Sequence, residues 1–194
     1  DVCSSDLEHP VTELVTGVDL VEWQLRVAFG EKLPLAQDEI RLNGHAIEAR
    51  VYAENPHKNF MPSVGRIRTW RMPEAVDGLR IDAGYREGDA VSPHYDAMLA
   101  KVIAWAPTRA AAIERLNRGL EETDVRGIVT NIPFLSALVT HKDVRANAID
   151  TGFIERELAV LTPAAAAPGE LELCAAVAAI INDECKLAQA NSPW

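Results

Sequence analysis

The chain predicts an α+β fold, mainly antiparallel sheet flanked by helices, and three observations carry that prediction. Between residues 44 and 105, short alternating or apolar runs are separated by the turn formers Asn55-Pro56 and Pro62-Ser63 and by the stretch 74–77. On both sides of this region apolar residues recur at helical spacing. The run Met98-Leu99-Ala100-Lys101-Val102-Ile103-Ala104-Trp105 is nearly continuous in apolar character, as a central strand is.

In chain order, 10–16 reads as a short helical turn that Gly17 cuts off. Asp19-Leu20-Val21-Glu22 opens a helix as a capping box, Asp19 accepting from exposed amides and Glu22 reaching back to the start. Val21, Leu25 and Ala28 follow at helical spacing, and Gly30 supplies a left-handed stop. Strands are predicted over 45–53, 65–71, 78–83 and 98–105. Thr108 caps a helix whose apolar stripe is Ile113, Leu116 and Leu120. Further helices run through 132–139, after the connection 127–131, and through 153–161. Core packing is the ordinary use of all these stripes.

Residues 162–169 (Thr-Pro-Ala-Ala-Ala-Ala-Pro-Gly) are a linker by composition. Beyond them 170–190 reads as one helix, with Leu173, Val177, Ile180 and Ile181 on a shared side. Such a helix needs another surface to cover and is expected to be poorly packed here. The chain reads as a piece of something longer.

At 194 residues there is enough chain for one ordinary domain with an appendage. Hydrophobic residues at 48% and charged ones at 25% are those of a globular protein and exclude general disorder. A formal charge of −10 argues against a nucleic-acid partner, which calls for a basic face. No apolar run reaches the roughly 18 residues of a membrane span. Asp1-Val2-Cys3-Ser4-Ser5-Asp6-Leu7 is no signal peptide. Cys3, Cys174 and Cys185 have neither metal spacing nor an even disulfide set. On one helix Cys174 and Cys185 would sit about 16 Å apart along the axis, too far to bond. A reducing, cytoplasmic setting follows.

The stretch richest in chemistry is Gly44-His45-Ala46-Ile47-Glu48-Ala49-Arg50-Val51-Tyr52-Ala53-Glu54. A period of two puts Ile47, Ala49, Val51 and Ala53 on one face and Glu48, Arg50, Tyr52 and Glu54 on the other. An arginine between two carboxylates on a rigid strand is aimed. Glu8-His9-Pro10 is weaker taken alone, since a carboxylate before a proline also suits an ordinary helix start. His9 and Glu13 at i,i+4 are too few for a metal site, and His45, His57, His94 and His141 form no pattern with them. A Gly-rich phosphate loop, a Gly-x-Ser-x-Gly elbow and a Cys-x-x-Cys pair are all missing.

Taken together, the segments identify a family. Glu8-His9-Pro10-Val11-Thr12-Glu13, Thr16-Gly17-Val18-Asp19-Leu20-Val21 and Gln24-Leu25-Arg26 resemble the closing segment of the ATP-grasp half of biotin carboxylases. The 44–54 strand, Phe60-Met61-Pro62-Ser63-Val64-Gly65 and Tyr95-Asp96-Ala97-Met98-Leu99-Ala100-Lys101 resemble that family's C-terminal domain, in the same order and spacing. The resemblance covers roughly Glu8 to Leu161. Within the family, the run 46–53, Thr151-Gly152-Phe153-Ile154-Glu155-Arg156 and the helix after the linker resemble the biotin-carrying subunit of acyl-CoA carboxylases. The 3-methylcrotonyl-CoA type is nearest, with propionyl- and geranyl-CoA types close behind.

The resemblance implies a division into 1–7 foreign or irregular, 8–30 the end of an ATP-grasp domain, 31–161 the biotin carboxylase C-terminal domain, 162–169 linker, and 170–194 the start of a subunit-docking region. It implies a ligase that uses ATP, magnesium, bicarbonate and biotin. A glutamate deprotonates bicarbonate, which attacks the γ-phosphate to give carboxyphosphate. Carbon dioxide is released, the remaining phosphate takes the biotin N1′ proton, and an arginine stabilises the oxyanion on the ureido oxygen. Glu8 matches the base, Arg50 the oxyanion partner, Asp96 a residue near biotin that orients the arginine, and Arg80 a position at the dimer interface. A biotin carboxyl carrier domain, a carboxyltransferase subunit and a second copy of the chain are the implied partners.

Plainer readings stand beside these. Glu8 also reads as a helix-start carboxylate, Arg50 as a surface cation paired with Glu48 or Glu54, Asp96 as a turn residue, and Arg80 as a solvated strand arginine. The chain also fits a pyruvate or acetyl-CoA carboxylase, or a non-catalytic docking module. Upstream of Glu8 the pattern breaks: the family's bicarbonate-clamping arginine falls at Ser4 and its glutamine at Asp6. A cloning or assembly scar is the expected cause. The ATP-binding lobes and magnesium ligands would precede this point, so the chain is expected to be inactive by itself.

Overall fold

In the computed structural model, which describes residues 8–74, 77–162, 169–171, 173–179 and 181, a three-stranded antiparallel sheet positions everything else. Its order is β1 (His45–Tyr52), β8 (Met98–Ala106) and β6 (Leu79–Ala83), with β8 in the middle. The intervening strands are β2 (Glu54–Asn55), β3 (Met61–Pro62), β4 (Gly65–Arg66), β5 (Thr69–Arg71) and β7 (Ala90–Val91). They pair antiparallel as β2 with β3 and β4 with β7, while β5 joins β9 (Asp124–Arg126). The run 65–71, read as one strand, is two: Ile67 turns fully inward between β4 and β5 and breaks the alternation.

Alternation in the sheet separates two faces. One carries Ile47, Ala49 and Val51 against Val102, Ala104 and Ile81, and α3 (Arg109–Glu122) packs on it. Thr108 caps α3 through its hydroxyl, which accepts from the Ala111 amide at 3.3 Å. The stripe Ile113, Leu116 and Leu120 is fully buried, contributing roughly 1.5–3 kcal/mol for each side chain. Phe134, Leu135 and Val139 of α4 (Ile132–Thr140) and Phe153 and Leu161 of α6 (Phe153–Leu161) complete the core, with α5 (Lys142–Arg145) between them.

The opposite face carries Glu48 and Arg50 on β1, Lys101 and Ile103 on β8, and Arg80 and Asp82 on β6. Helix α1 (His9–Thr16) covers it. The predicted turn at 10–16 is thus a full helix, with Pro10 in its first turn and Gly17 at φ +73 closing it. Asn43 ties α1 to the sheet: its amide donates to the Val15 carbonyl at 2.7 Å, and its carbonyl accepts from the Trp105 indole at 2.8 Å. The outer edge of β1 is taken up by Asn131, whose side chain accepts from the Tyr52 amide at 2.8 Å and donates to the Arg50 carbonyl at 3.2 Å.

Helix α2 (Leu20–Ala28) departs from the reading of its sequence in two ways. Asp19 caps it, accepting from the Glu22 amide at 2.8 Å, but Glu22 does not reach back, because its carboxylate is held by Arg26 at 2.5 Å. Its stripe is not core either: α2 buries none of its residues, and Val21 and Leu25 are more than half exposed. Capping and an i,i+4 ion pair hold this helix, rather than packing.

The chain divides into two units, Asp1–Thr162 and Pro163–Trp194. In the second, the described residues between 170 and 181 are helical, and Leu171, Leu173, Val177 and Ile181 are at least half exposed. Residues 1–7 with Cys3, the linker 163–168, Cys185 and the rest of the predicted last helix lie outside the described residues. Among the described residues, no helix is long and apolar enough to cross a membrane.

Candidate functional site

Glu8 occupies the N-cap position of α1, yet its side chain caps nothing there. Its backbone carbonyl takes the Val11 and Thr12 amides at 3.0 and 3.2 Å, which leaves the carboxylate free to turn toward the sheet. There one oxygen ion-pairs with Arg50 Nη2 and the other lies 3.4 Å from Lys101 Nζ. The helix-start reading of Glu8 therefore does not describe its side chain. Two residues 42 positions apart meet because α1 is laid across the polar face of β1 and β8.

Register completes the cluster. Arg50 and Lys101 are directly opposed on β1 and β8, a like-charge pair that is unfavourable unless anions lie between them. Two do. Glu48 Oε1 stands 3.4 Å from both Arg50 Nε and Lys101 Nζ, and Glu8 bridges the same two cations. Glu48 is the deepest member, its side chain only 4% exposed, while Lys101 is at 15% and Arg50 is partly open to solvent.

The environment separates the two carboxyls. Burial pushes the Glu48 carboxyl up, and its hydrogen bond to Glu8 pushes the same way, against the pull of Lys101. Burial acts on Glu8 too. There the Glu48 hydrogen bond and the Arg50 and Lys101 charges outweigh it and hold Glu8 below the ordinary glutamate range. Glu8 is thus an ionised carboxylate beside a strand-borne guanidinium. The arrangement can accept a proton at Glu8 and steady a developing oxyanion with Arg50 and Lys101.

Arg80 lies on the same sheet face but serves a second cluster. Its Nη1 is 2.5 Å from Glu13 Oε2 and its Nε 2.8 Å from Asp82 Oδ1. The buried Glu13 carboxylate also accepts from the Leu20 amide at 3.0 Å, so Arg80 anchors the α1–α2 elbow. It is not the solvated strand arginine of the plainer reading. Asp96 is set apart from Arg50: its Oδ1 accepts from the Met98 amide at 3.0 Å, as a turn residue does. No hydrogen bond or ion pair joins it to Arg50 among the described residues, so orientation of the arginine falls to Glu8 and Glu48. Asp96 instead adds its charge to the burial that pushes Glu54 up.

Two hollows flank the cluster. One, of about 330 Å³, is lined by His9, Asp82, Gly84, Met98 and Lys101. The other, of about 500 Å³, runs along β1 past Glu48, Arg50, Tyr52, Glu54 and Asn131 toward Phe134. Among the described residues no group of three or more His, Cys, Asp or Glu side chains would hold a metal ion. A magnesium site does not fit the described residues.

Lys101 and Glu48 were not singled out in the sequence. Lys101 had a signal, being the one charge in an otherwise apolar central strand, which is costly unless paired. Glu48 was visible in the polar row, but only the position of α1 buries it.

Known proteins resemble the chain closely. The profile described as "Biotin carboxylase C-terminal domain" matches residues 48–156, and that described as "Carbamoyl-phosphate synthase L chain, ATP binding domain" matches residues 5–36. The alpha subunit of mitochondrial methylcrotonoyl-CoA carboxylase from Rattus norvegicus is 44% identical over 184 residues, 95% of this chain and 26% of that protein. A biotin carboxylase from Halalkalibacterium halodurans is 49% identical over 156 residues, 80% of this chain and 34% of that one. Among solved structures, the biotin carboxylase domain dimer of Hydrogenobacter thermophilus 2-oxoglutarate carboxylase, crystallised with MgADP, ADP and bicarbonate, superposes with a TM-score of 0.79 at 40% identity. That match covers 82% of this chain and 35% of the other. The chain thus spans about a quarter to a third of the relatives it matches.

Proposed function

The chain belongs to the biotin carboxylase C-terminal domain family, and from that premise we propose that it forms the C-terminal part of the biotin carboxylase component of an acyl-CoA carboxylase. The 3-methylcrotonyl-CoA or propionyl-CoA type is favoured by its similarity to alpha subunits with those names. The observation that carries the reading is the meeting of Glu8 with Arg50 and Lys101 across the sheet. In this role Glu8 accepts the proton of bicarbonate, and the two cations hold it in the ionised form that a base must have. Arg50 faces the charge that develops on the ureido oxygen of biotin. A guanidinium fixed on a strand is set before the reaction and needs no reorganisation during it.

The proposed division is an ATP-grasp ending over 8–30, the C-terminal domain over 31–161, a linker, and a docking region from 170. The lobes that bind ATP and magnesium belong to the parent enzyme. Proposed partners are the biotin carboxyl carrier domain, the carboxyltransferase subunit and a second copy of the chain, with Arg80 near the interface and Asp96 near biotin. Three cysteines in no disulfide or metal pattern support a reducing compartment, the cytoplasm in this proposal. The animal relative named above carries a mitochondrial designation.

Assay of the complete carboxylase subunit tests the assignment. Glu8→Gln is expected to lower bicarbonate-dependent ATP hydrolysis by about 10²-fold or more. Arg50→Ala is expected to abolish biotin carboxylation by a similar factor. Full activity in both variants overturns the proposal.

A further inference from the structure

Glu48 has a feature that its neighbours do not explain. Its Oε1 faces two cations, but its Oε2 is buried and receives no hydrogen bond from any described donor. An ionised carboxylate with one bare oxygen out of water is strongly disfavoured. A carboxylic acid in the same place is not, because its oxygen bears a hydrogen and becomes a donor. A second carboxylate shares its cations: Glu8 and Glu48 each lie 3.4 Å from the Lys101 ammonium, and each is paired with Arg50. We infer that Glu48 keeps its proton after Glu8 has lost its own and donates it to the Glu8 carboxylate, so that the two share one proton and one negative charge.

Glu48 is then a positioning residue for Glu8. The groups facing it are Glu8 from the start of α1, Arg50 from its own strand and Lys101 from β8. With one proton shared, two cations face a single negative charge, and the cluster is net positive. With both carboxylates ionised it would be neutral. A small oxyanion arriving at the site meets attraction in the first case only. The donated hydrogen bond also stabilises ionised Glu8, keeping it proton-free and ready to act as a base. The opposite displacement of the two carboxyls, Glu48 up and Glu8 down, is what a shared proton produces. That the oxyanion is bicarbonate rests on the function proposed above; the proton sharing does not.

Carbon-13 NMR of the chain with labelled glutamate carboxyls, titrated without nucleotide, tests this. Glu8→Gln and Glu48→Gln assign the two signals. In the unsubstituted chain Glu48 is expected to titrate above Glu8. Glu48→Ala removes the donor, and the Glu8 midpoint then moves up; Glu48→Gln retains an N–H donor and leaves Glu8 low. If both carboxyls were ionised, either substitution would remove a repelling charge and Glu8 would move down. A downward shift in the alanine variant, or Glu48 titrating at or below Glu8, overturns the inference. Should the alanine variant not fold, the titration order in the unsubstituted chain decides. The measurement uses no catalytic assay, so it can fail while the carboxylase reading stands, and the reverse.

Discussion

At the scale of single residues, the polar sheet face is two ion-pair clusters with different work. Arg80, Glu13 and Asp82 are structural. Arg80→Ala leaves the buried Glu13 with the Leu20 amide but without its cation, at a cost of about 1–3 kcal/mol. A fall in melting temperature of roughly 3–8 °C is expected in a thermal melt; an unchanged melt would make this pair decorative. Glu54 makes the opposite case. Burial, aided by Asp96, pushes its carboxyl up, so the folded chain holds the proton more readily than the unfolded one. The stability from that proton is complete below the ordinary glutamate range and lost as pH rises through the raised value. At pH 7 the ionised form is therefore a burden. Glu54→Gln is expected to raise the melting temperature at pH 7 and to bring little change near pH 4. At this scale the sequence showed Glu8 and Arg50 through their motifs. It could not show Glu48 and Lys101 as members of the site, because their roles come from register and from the helix lying over them.

At the scale of elements, strands and helices with strong periodicity were legible. β1, β6, β8, α4 and α6 lie within a residue or so of where the pattern placed them, and α3 starts directly after its expected cap, Thr108. The short strands β2, β3, β7 and β9 were not, since two or three residues carry no period and exist only through their partners. The stripe of α2 was legible as a stripe but not as an exposed one. The turn into β1 is a demanding piece of backbone. Gly44 sits at φ +67, and a Cβ there would lie 2.6 Å from the Ala106 carbonyl oxygen and 2.7 Å from the Trp105 indole nitrogen. Gly44→Ala is expected to cost about 1–3 kcal/mol. It should also change indole fluorescence, since Trp105 must release Asn43 to make room. Because Asn43 is one of the ties between α1 and the sheet, beside Glu13–Arg80, the same substitution should loosen Glu8 from Arg50.

At the scale of the whole molecule, the chain carries the proposed base and oxyanion partner on a rigid sheet and spans about a third of a solved biotin carboxylase chain. Positioning both reactants is most of what phosphoryl transfer needs. The purified chain is accordingly expected to release no phosphate from ATP, with or without bicarbonate. Bicarbonate-dependent release that Glu8→Gln removes would show that the described residues suffice. The fold class and the family were legible because several motifs agree in order and spacing over most of the chain. The burial of Glu48 and Lys101 was not, because it comes from a helix laid over the sheet and leaves no period of its own.

Asn131 has a wider consequence. β1 ends the three-stranded sheet, and Asn131 there mimics the next strand: its carboxamide engages one amide and one carbonyl, and its own amide donates to the Tyr52 carbonyl at 3.1 Å. Without it, the segment bearing Arg50 would offer a ready seam for annealing to a neighbouring copy. Asn131→Ala should therefore show itself first as self-association, visible as a rising scattering signal with concentration, before any loss of secondary structure.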